Sequence, residues 1–89
     1  MKFEWDAEKA RINAEKHGVE FASVSDFDFD TAQVVVDDRF GYRETRFVAL
    51  GLIGPRVHQL AFTMRGNLIR VISLRKANKR EIRTYADTV

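Results

Sequence analysis

The sequence predicts an α+β fold, with two helices ahead of an antiparallel β-meander and one helix after it. Three observations predict it. Small residues recur at helical spacing behind a capping aspartate near the N-terminus, and four β-rich segments follow one another from Val34 onward. The third is the capping-box spacing of Asn78 and Glu81, which opens a final amphipathic stretch.

Taken in order, Phe3 and Trp5 alternate with Lys2 and Glu4, which suits a short N-terminal strand. Asp6 is a good N-cap, and Ala7, Ala10, Ala14 and His17 behind it form a narrow stripe on a first helix that Gly18 ends as a left-handed C-cap. Phe21, Val24 and Phe27 recur at every third residue and predict a second short helix from Phe21 to about Phe27. The strands are Val34–Asp38, Arg43–Ile53, Val57–Met64 and Leu68–Leu74. Turn chemistry at Asp38–Gly41, Gly54-Pro55 and Gly66-Asn67 separates them. In the last helix Ile82, Tyr85 and Ala86 are expected to face inward.

Composition bounds the class. The chain has 89 residues, 45% of them apolar and 31% charged, and residues 1–89 read as one domain with one small core. It has no cysteine, so disulfides, thiolate zinc sites and a cysteine nucleophile are excluded. The longest run without a polar side chain is Phe47–Ile53, far short of the roughly 20 residues that span a bilayer, and acids near the N-terminus do not suit a signal peptide. The expectation is a cytoplasmic protein. Its net charge of +2 hides a division. Residues 1–64 hold eight Lys or Arg against eleven Asp or Glu, giving −3, whereas residues 65–89 hold seven against two, giving +5. A basic patch of this kind suits a polyanion, or it is simply the solvated face of a helix.

Two-residue loops at Gly66-Asn67 and Gly54-Pro55 fix the hairpin register. They pair Arg65 with Leu68, Thr63 with Arg70, Phe62 with Val71, Phe47 with Phe62, Arg46 with Thr63 and Glu44 with Arg65. Phe47, Phe62, Met64, Ile69 and Val71 then share one face, and Glu44, Arg46, Thr63, Arg65 and Arg70 the other. Ile72 and Leu74 fall on the polar face and fit it poorly, so a helix or a partner is expected to cover part of it.

Three constellations bear on chemistry. Asp26, Asp28, Asp30 and Asp37 imitate a calcium loop, but Thr31 replaces its essential glycine and Phe27 and Phe29 occupy polar positions. The expectation is an acidic helix end with two core aromatics. Of the two histidines, His58 lies mid-strand and reads as packing. His17 ends a helix, where the dipole favours imidazolium and raises its pKa, as a proton donor needs; the alternative is a capping histidine. Lastly, Glu44, Arg46, Arg65 and Arg70, with Arg75 just beyond, place four arginines against one acid. Guanidinium groups pair with phosphate oxygens, so the surplus points to a phosphate ligand or an acidic partner; the alternative is a ladder of cross-strand ion pairs.

Certain residues also carry a family resemblance. Phe3-Glu4-Trp5-Asp6, Lys9, Asn13, Lys16-His17-Gly18-Val19 and Phe21 open it. Glu44-Thr45-Arg46-Phe47, Gly51-Leu52, Thr63-Met64-Arg65 and Ile69-Arg70-Val71-Ile72-Ser73 continue it, and Arg75-Lys76-Ala77, Glu81 and Tyr85 close it. Together these resemble the BrnT family of ribonuclease toxins from type II toxin–antitoxin systems. One departure is Asp30-Thr31, where members often carry Asp-Pro. The resemblance implies a RelE-like fold and a metal-independent endoribonuclease without cofactor, blocked by a cognate BrnA-type antitoxin and reaching operator DNA only within that complex. Cleavage by the 2′-hydroxyl needs a base, cations and an acid, and the expectation is Glu44 or His17 as base, Arg65 and Arg75 as phosphate stabilisers, and His17 or Tyr85 as acid. Lys16, Arg46, Arg70, Ser73, Lys76 and Arg80 would orient RNA through its backbone. The competing reading is a non-catalytic module that binds RNA or antitoxin in operator autoregulation.

Overall fold

The computed structural model describes residues 1–39, 41 and 43–88. Strand β1 spans Lys2–Glu4, helix α1 Ala7–His17, a 3₁₀ helix Phe21–Asp26, and strands β2 to β5 Gln33–Asp37, Arg46–Ile53, Arg56–Arg65 and Leu68–Lys76; helix α2 covers Lys79–Thr88. All five strands join one sheet in the order β1-β5-β4-β3-β2, antiparallel except that β1 runs parallel to β5. The α+β class and the meander from β2 to β5 are therefore present, and the first strand extends the meander at its β5 edge.

The expected second helix is a 3₁₀ helix. Its apolar residues repeat at three, the period of a 3₁₀ turn, and this stacks Phe21 and Val24 on one line with Phe27 just beyond. With Val19, Leu60, Phe62, Ile69, Val71 and Leu74 they form the main core on one sheet face. Phe27 and Phe29 belong to this core and not to a cation loop: their rings meet edge-on at 4.8 Å, and Phe47 stacks on Phe62 at 5.3 Å. Gly51 lies beneath Phe27, where an added Cβ would come within 2.5 Å of the ring. On the opposite face α2 packs on β3 and the start of β4, burying Tyr85 with Leu50, Val57 and Ala77. Ala86, expected inside, is exposed, because the apolar contacts of α2 with the sheet run through Ile82 and Tyr85.

Both helices are capped as the sequence predicts. Asp6 accepts from the Lys9 N–H at 3.0 Å, and Gly18 is left-handed at φ 70°. Asn78 and Glu81 exchange side-chain-to-backbone bonds of 2.8 and 2.9 Å. The α1 stripe differs from expectation: Ala7 is exposed and the most deeply buried residue is Asn13, 6% exposed. β1 pairs only with Leu68–Arg70, so the rest of the β5 edge has no strand neighbour there. The Asn13 amide supplies one, donating to the Leu74 carbonyl at 2.7 Å and accepting from the Leu74 N–H at 3.3 Å; it also donates to the Val19 carbonyl. This seats α1 over the β5 edge.

The strand pairs from Arg46↔Thr63 to Ile53↔Arg56 and from Arg65↔Leu68 to Phe62↔Val71 match the expected register. Beyond them a β-bulge intervenes, because Ala61 pairs with Ser73 and Ile72 is left over. The bulge corrects the face assignment: it turns Leu74 into the core, fully buried, and carries Ser73 and Arg75 to the polar face. Strand β3 begins at Arg46 and not Arg43, because Glu44 leaves the ladder and reaches β4 through its side chain. The turn expected at Asp38–Gly41 includes Phe40, which lies outside the described residues. Among the described residues no helix is long and apolar enough to cross a membrane.

Candidate phosphate-binding cleft

The register places one residue from each strand in a row across the polar face: Asp37, Arg46, Thr63, Arg70 and Glu4. Neighbouring strands lie about 4.8 Å apart, so the two arginines flank Thr63 at roughly 10 Å from each other. Arg65 follows Thr63 on the same face of β4. Glu44 bends over this pair, accepting from the Thr63 hydroxyl at 3.0 Å and from Arg65 Nη2 at 2.9 Å. Thr63 is itself buried, so the Glu44 carboxylate has a fixed anchor. Hydrogen bonds from Thr63 and then Arg65 hold its pKa below the ordinary carboxylate value, and it stays ionised at neutral pH.

An open cleft of about 200 Å³ lies over these groups. Lys9 enters it from α1 and Arg43 from the segment before β3, joining Arg46, Arg65 and Arg70; Glu44, Thr63 and Ile72 complete the wall. Five cations thus surround one carboxylate. Glu4 neutralises Arg70 in part, at 2.5 Å, and the cleft remains strongly positive.

Arg75 and Tyr85 lie apart from this cleft. Arg75 makes a two-pronged ion pair with Glu81, both contacts 2.9 Å. Glu81 also accepts from Gln59 at 2.6 Å and from the Asn78 N–H, so its four acceptor positions are filled and α2 is pinned to the sheet. Burial pushes the Glu81 pKa up, but Arg75 and the Asn78 backbone outweigh it and the net shift is downward. The buried Tyr85 hydroxyl meets the Thr31 hydroxyl at 3.3 Å. About five residues of β5 separate Arg75 from Arg70, roughly 16 Å along the strand.

His17 corrects an expectation. Its pKa is lowered, not raised, first by burial and then by repulsion from Lys16 and Arg75. At neutral pH it is uncharged and suits proton acceptance. His58 is buried, with Nδ1 2.9 Å from the Arg56 carbonyl oxygen, and belongs to packing as expected.

Of the other residues expected to orient RNA, Arg46 and Arg70 line the cleft and Ser73 faces the same side next to it. Lys16, Lys76 and Arg80 are exposed outside it. The sequence reading missed Lys9, Arg43 and Ile72 as wall residues. A signal for Lys9 exists: Lys9, Asn13 and His17 are spaced by four, a polar stripe on one helix face that points at a sheet edge and not into a core. No cluster of three or more His, Cys, Asp or Glu side chains suited to a metal ion occurs among the described residues. Asp28 instead accepts from the Asp30 N–H and the Thr31 hydroxyl, and Asp37 pairs with Arg39.

The family model that describes the ribonuclease toxin BrnT of type II toxin–antitoxin systems matches residues 5–81. No curated protein matches the chain. The matched span includes every cleft residue.

Proposed function

The chain belongs to the BrnT family of ribonuclease toxins of type II toxin–antitoxin systems, and from that premise we propose that it is a metal-independent endoribonuclease of RelE-like fold whose active centre is the cationic cleft. The observation that carries this reading is the set of five cations gathered around one ionised carboxylate on an open sheet face. A long RNA has access to such a face, and guanidinium groups offer paired donors to phosphate oxygens.

In the proposed reaction the 2′-hydroxyl of RNA attacks its own 3′-phosphate. The 2′-oxygen–phosphorus bond forms, the phosphorus–5′-oxygen bond breaks, and the products are a cyclic phosphate and a 5′-hydroxyl. Glu44 accepts the 2′-hydroxyl proton, and solvent water, which reaches this open face, protonates the leaving 5′-oxygen. The low pKa of Glu44 makes it a modest base, so most of the acceleration falls to Arg65, Arg46 and Arg70, which stabilise the phosphorane charge. His17, neutral at pH 7 and near Arg75 rather than in the cleft wall, is the alternative acceptor for RNA that passes it, and protonated in turn it returns a proton to the leaving oxygen. Ser73 lies further along the same face, while Arg75, held by Glu81, and the buried Tyr85 keep α2 against the sheet. Cleavage of cellular RNA in the cytoplasm would lower translation, and a BrnA-type antitoxin that presents acid to the cleft would block it, carrying the pair to operator DNA.

The test is cleavage of RNA by the purified protein in EDTA, beside Glu44→Gln and Arg65→Ala. Cleavage should persist in EDTA and fall in Arg65→Ala by about 10²–10³-fold, the usual cost of losing one transition-state donor. Full activity in both variants would overturn this site. The surplus charge also favours a second reading, a non-catalytic module that binds antitoxin, and absence of cleavage with and without ribosomes would select it.

A further inference from the structure

The bulge in β5 does more than restore Leu74 to the core. Both residues of a bulge that oppose a single partner project to the same side of the sheet, so Ile72 and Ser73 both turn to the polar face opposite Ala61. Among the described residues Ile72 is the one apolar side chain in the wall of the cleft, beside Lys9 and Arg70. Val35, Val48 and Ala61 pair with one another across β2, β3 and β4, with Ile72 bulged beside Ser73, the partner of Ala61; they lie immediately next to the row that carries Arg46, Thr63 and Arg70. Ala61 is buried at 8% exposure and gives the strip its floor, while Ile72 and Val48 are half-buried and Val35 is 53% exposed, so the strip is open to a ligand on either side of Ala61.

We propose that Ile72, with Val48 and Ala61, forms an aliphatic shelf that takes the flat face of a nucleobase whose phosphate is held by the arginines of the neighbouring row. The assignment rests on the reading of the cleft as an RNA site. Residues on one face of a strand repeat about every 7 Å, so shelf and phosphate row stand one repeat apart, the kind of separation that divides a nucleotide's phosphate from its base. An aliphatic surface offers dispersion contact and exclusion of water to any base and hydrogen-bonding discrimination to none. The ligand class is therefore single-stranded RNA with its bases unstacked, gripped with little regard to sequence.

The experiment compares two uncleavable 2′-O-methyl oligonucleotides of equal length, one with bases and one abasic, by equilibrium binding to wild type, Ile72→Ala, Ile72→Thr and Arg70→Ala. Ile72→Ala should weaken the base-bearing oligonucleotide about fivefold and leave the abasic one unchanged, while Ile72→Thr, which keeps the β-branched strand side chain, should give the same pattern. Arg70→Ala should weaken both. Equal loss on both oligonucleotides in the Ile72 variants, or loss on neither, overturns the shelf while leaving the phosphate row standing. If wild type binds neither oligonucleotide, the RNA reading of the cleft fails and the shelf falls with it.

Discussion

His17 illustrates how a single ionisable residue is decided by its neighbours in space. Its place at the end of α1 argues for a raised pKa, since the last carbonyls favour a cation. The fold brings Arg75 of β5 near it and covers part of the ring, and both effects act in the other direction. The expected outcome is an NMR titration midpoint below 6.5, moving upward in Arg75→Gln as one repelling charge is removed. The sign for stability follows: the unfolded state takes up the proton first, so His17 subtracts stability as pH falls through and below 6.5. A midpoint at or above 6.5 would refute this environment. Glu44 shows a different case: hairpin register points to Arg65 as its partner, whereas its bond to Thr63 arises because Glu44 leaves the ladder and bends over β4. Cross-strand partners obey a two-residue period, whereas a contact between a helix end and a strand obeys none.

At the scale of elements, β5 explains most of what sequence reading gained and lost. Its hairpin with β4 follows from Gly66-Asn67, where Gly66 takes φ 62°, and the first four pairs were readable in advance. The bulge was not, although Ile72 and Leu74 stranded on a charged face were its symptom: two apolar residues out of phase signal a slip of one residue as well as a missing cover. Both answers hold here, since α2 covers part of that face. The free edge of β5 beyond Arg70 is the second hidden feature, closed by Asn13 from α1. Replacing Asn13 with Ala leaves the Leu74 N–H and carbonyl and the Val19 carbonyl without this partner. Each buried polar group left unpaired costs about 1–3 kcal/mol. Urea denaturation should therefore show a loss of several kcal/mol, and a loss below about 0.5 kcal/mol would show that water or backbone movement replaces the amide. A polar residue on a helix stripe reads as solvent-facing in sequence; only the unfinished strand edge explains its burial.

Across the whole molecule, charge is sorted by position in the fold and only partly by position in the chain. The division at residue 64 correctly marks the C-terminal strands as basic, yet Glu81 fully occupies Arg75, while Lys9, Arg43 and Arg46 reach the cleft from the net acidic part. The relevant quantity is the local surplus, five cations over one carboxylate, with Glu4 at its margin. A surplus of about four charges engaged with four phosphates of a single strand predicts that log affinity falls against log salt with a slope of about −3. Lys9→Ala should reduce the size of that slope by about 0.7, because one phosphate contact is lost and no base contact changes. Arg80→Ala separates two paths for the RNA. If the strand follows the cleft alone, the slope is unchanged; an equal reduction extends the path over the first turn of α2, where Arg80 stands exposed. Binding insensitive to salt would remove the electrostatic basis of the site, since charges on a face this open are screened over about one Debye length of ~8–10 Å.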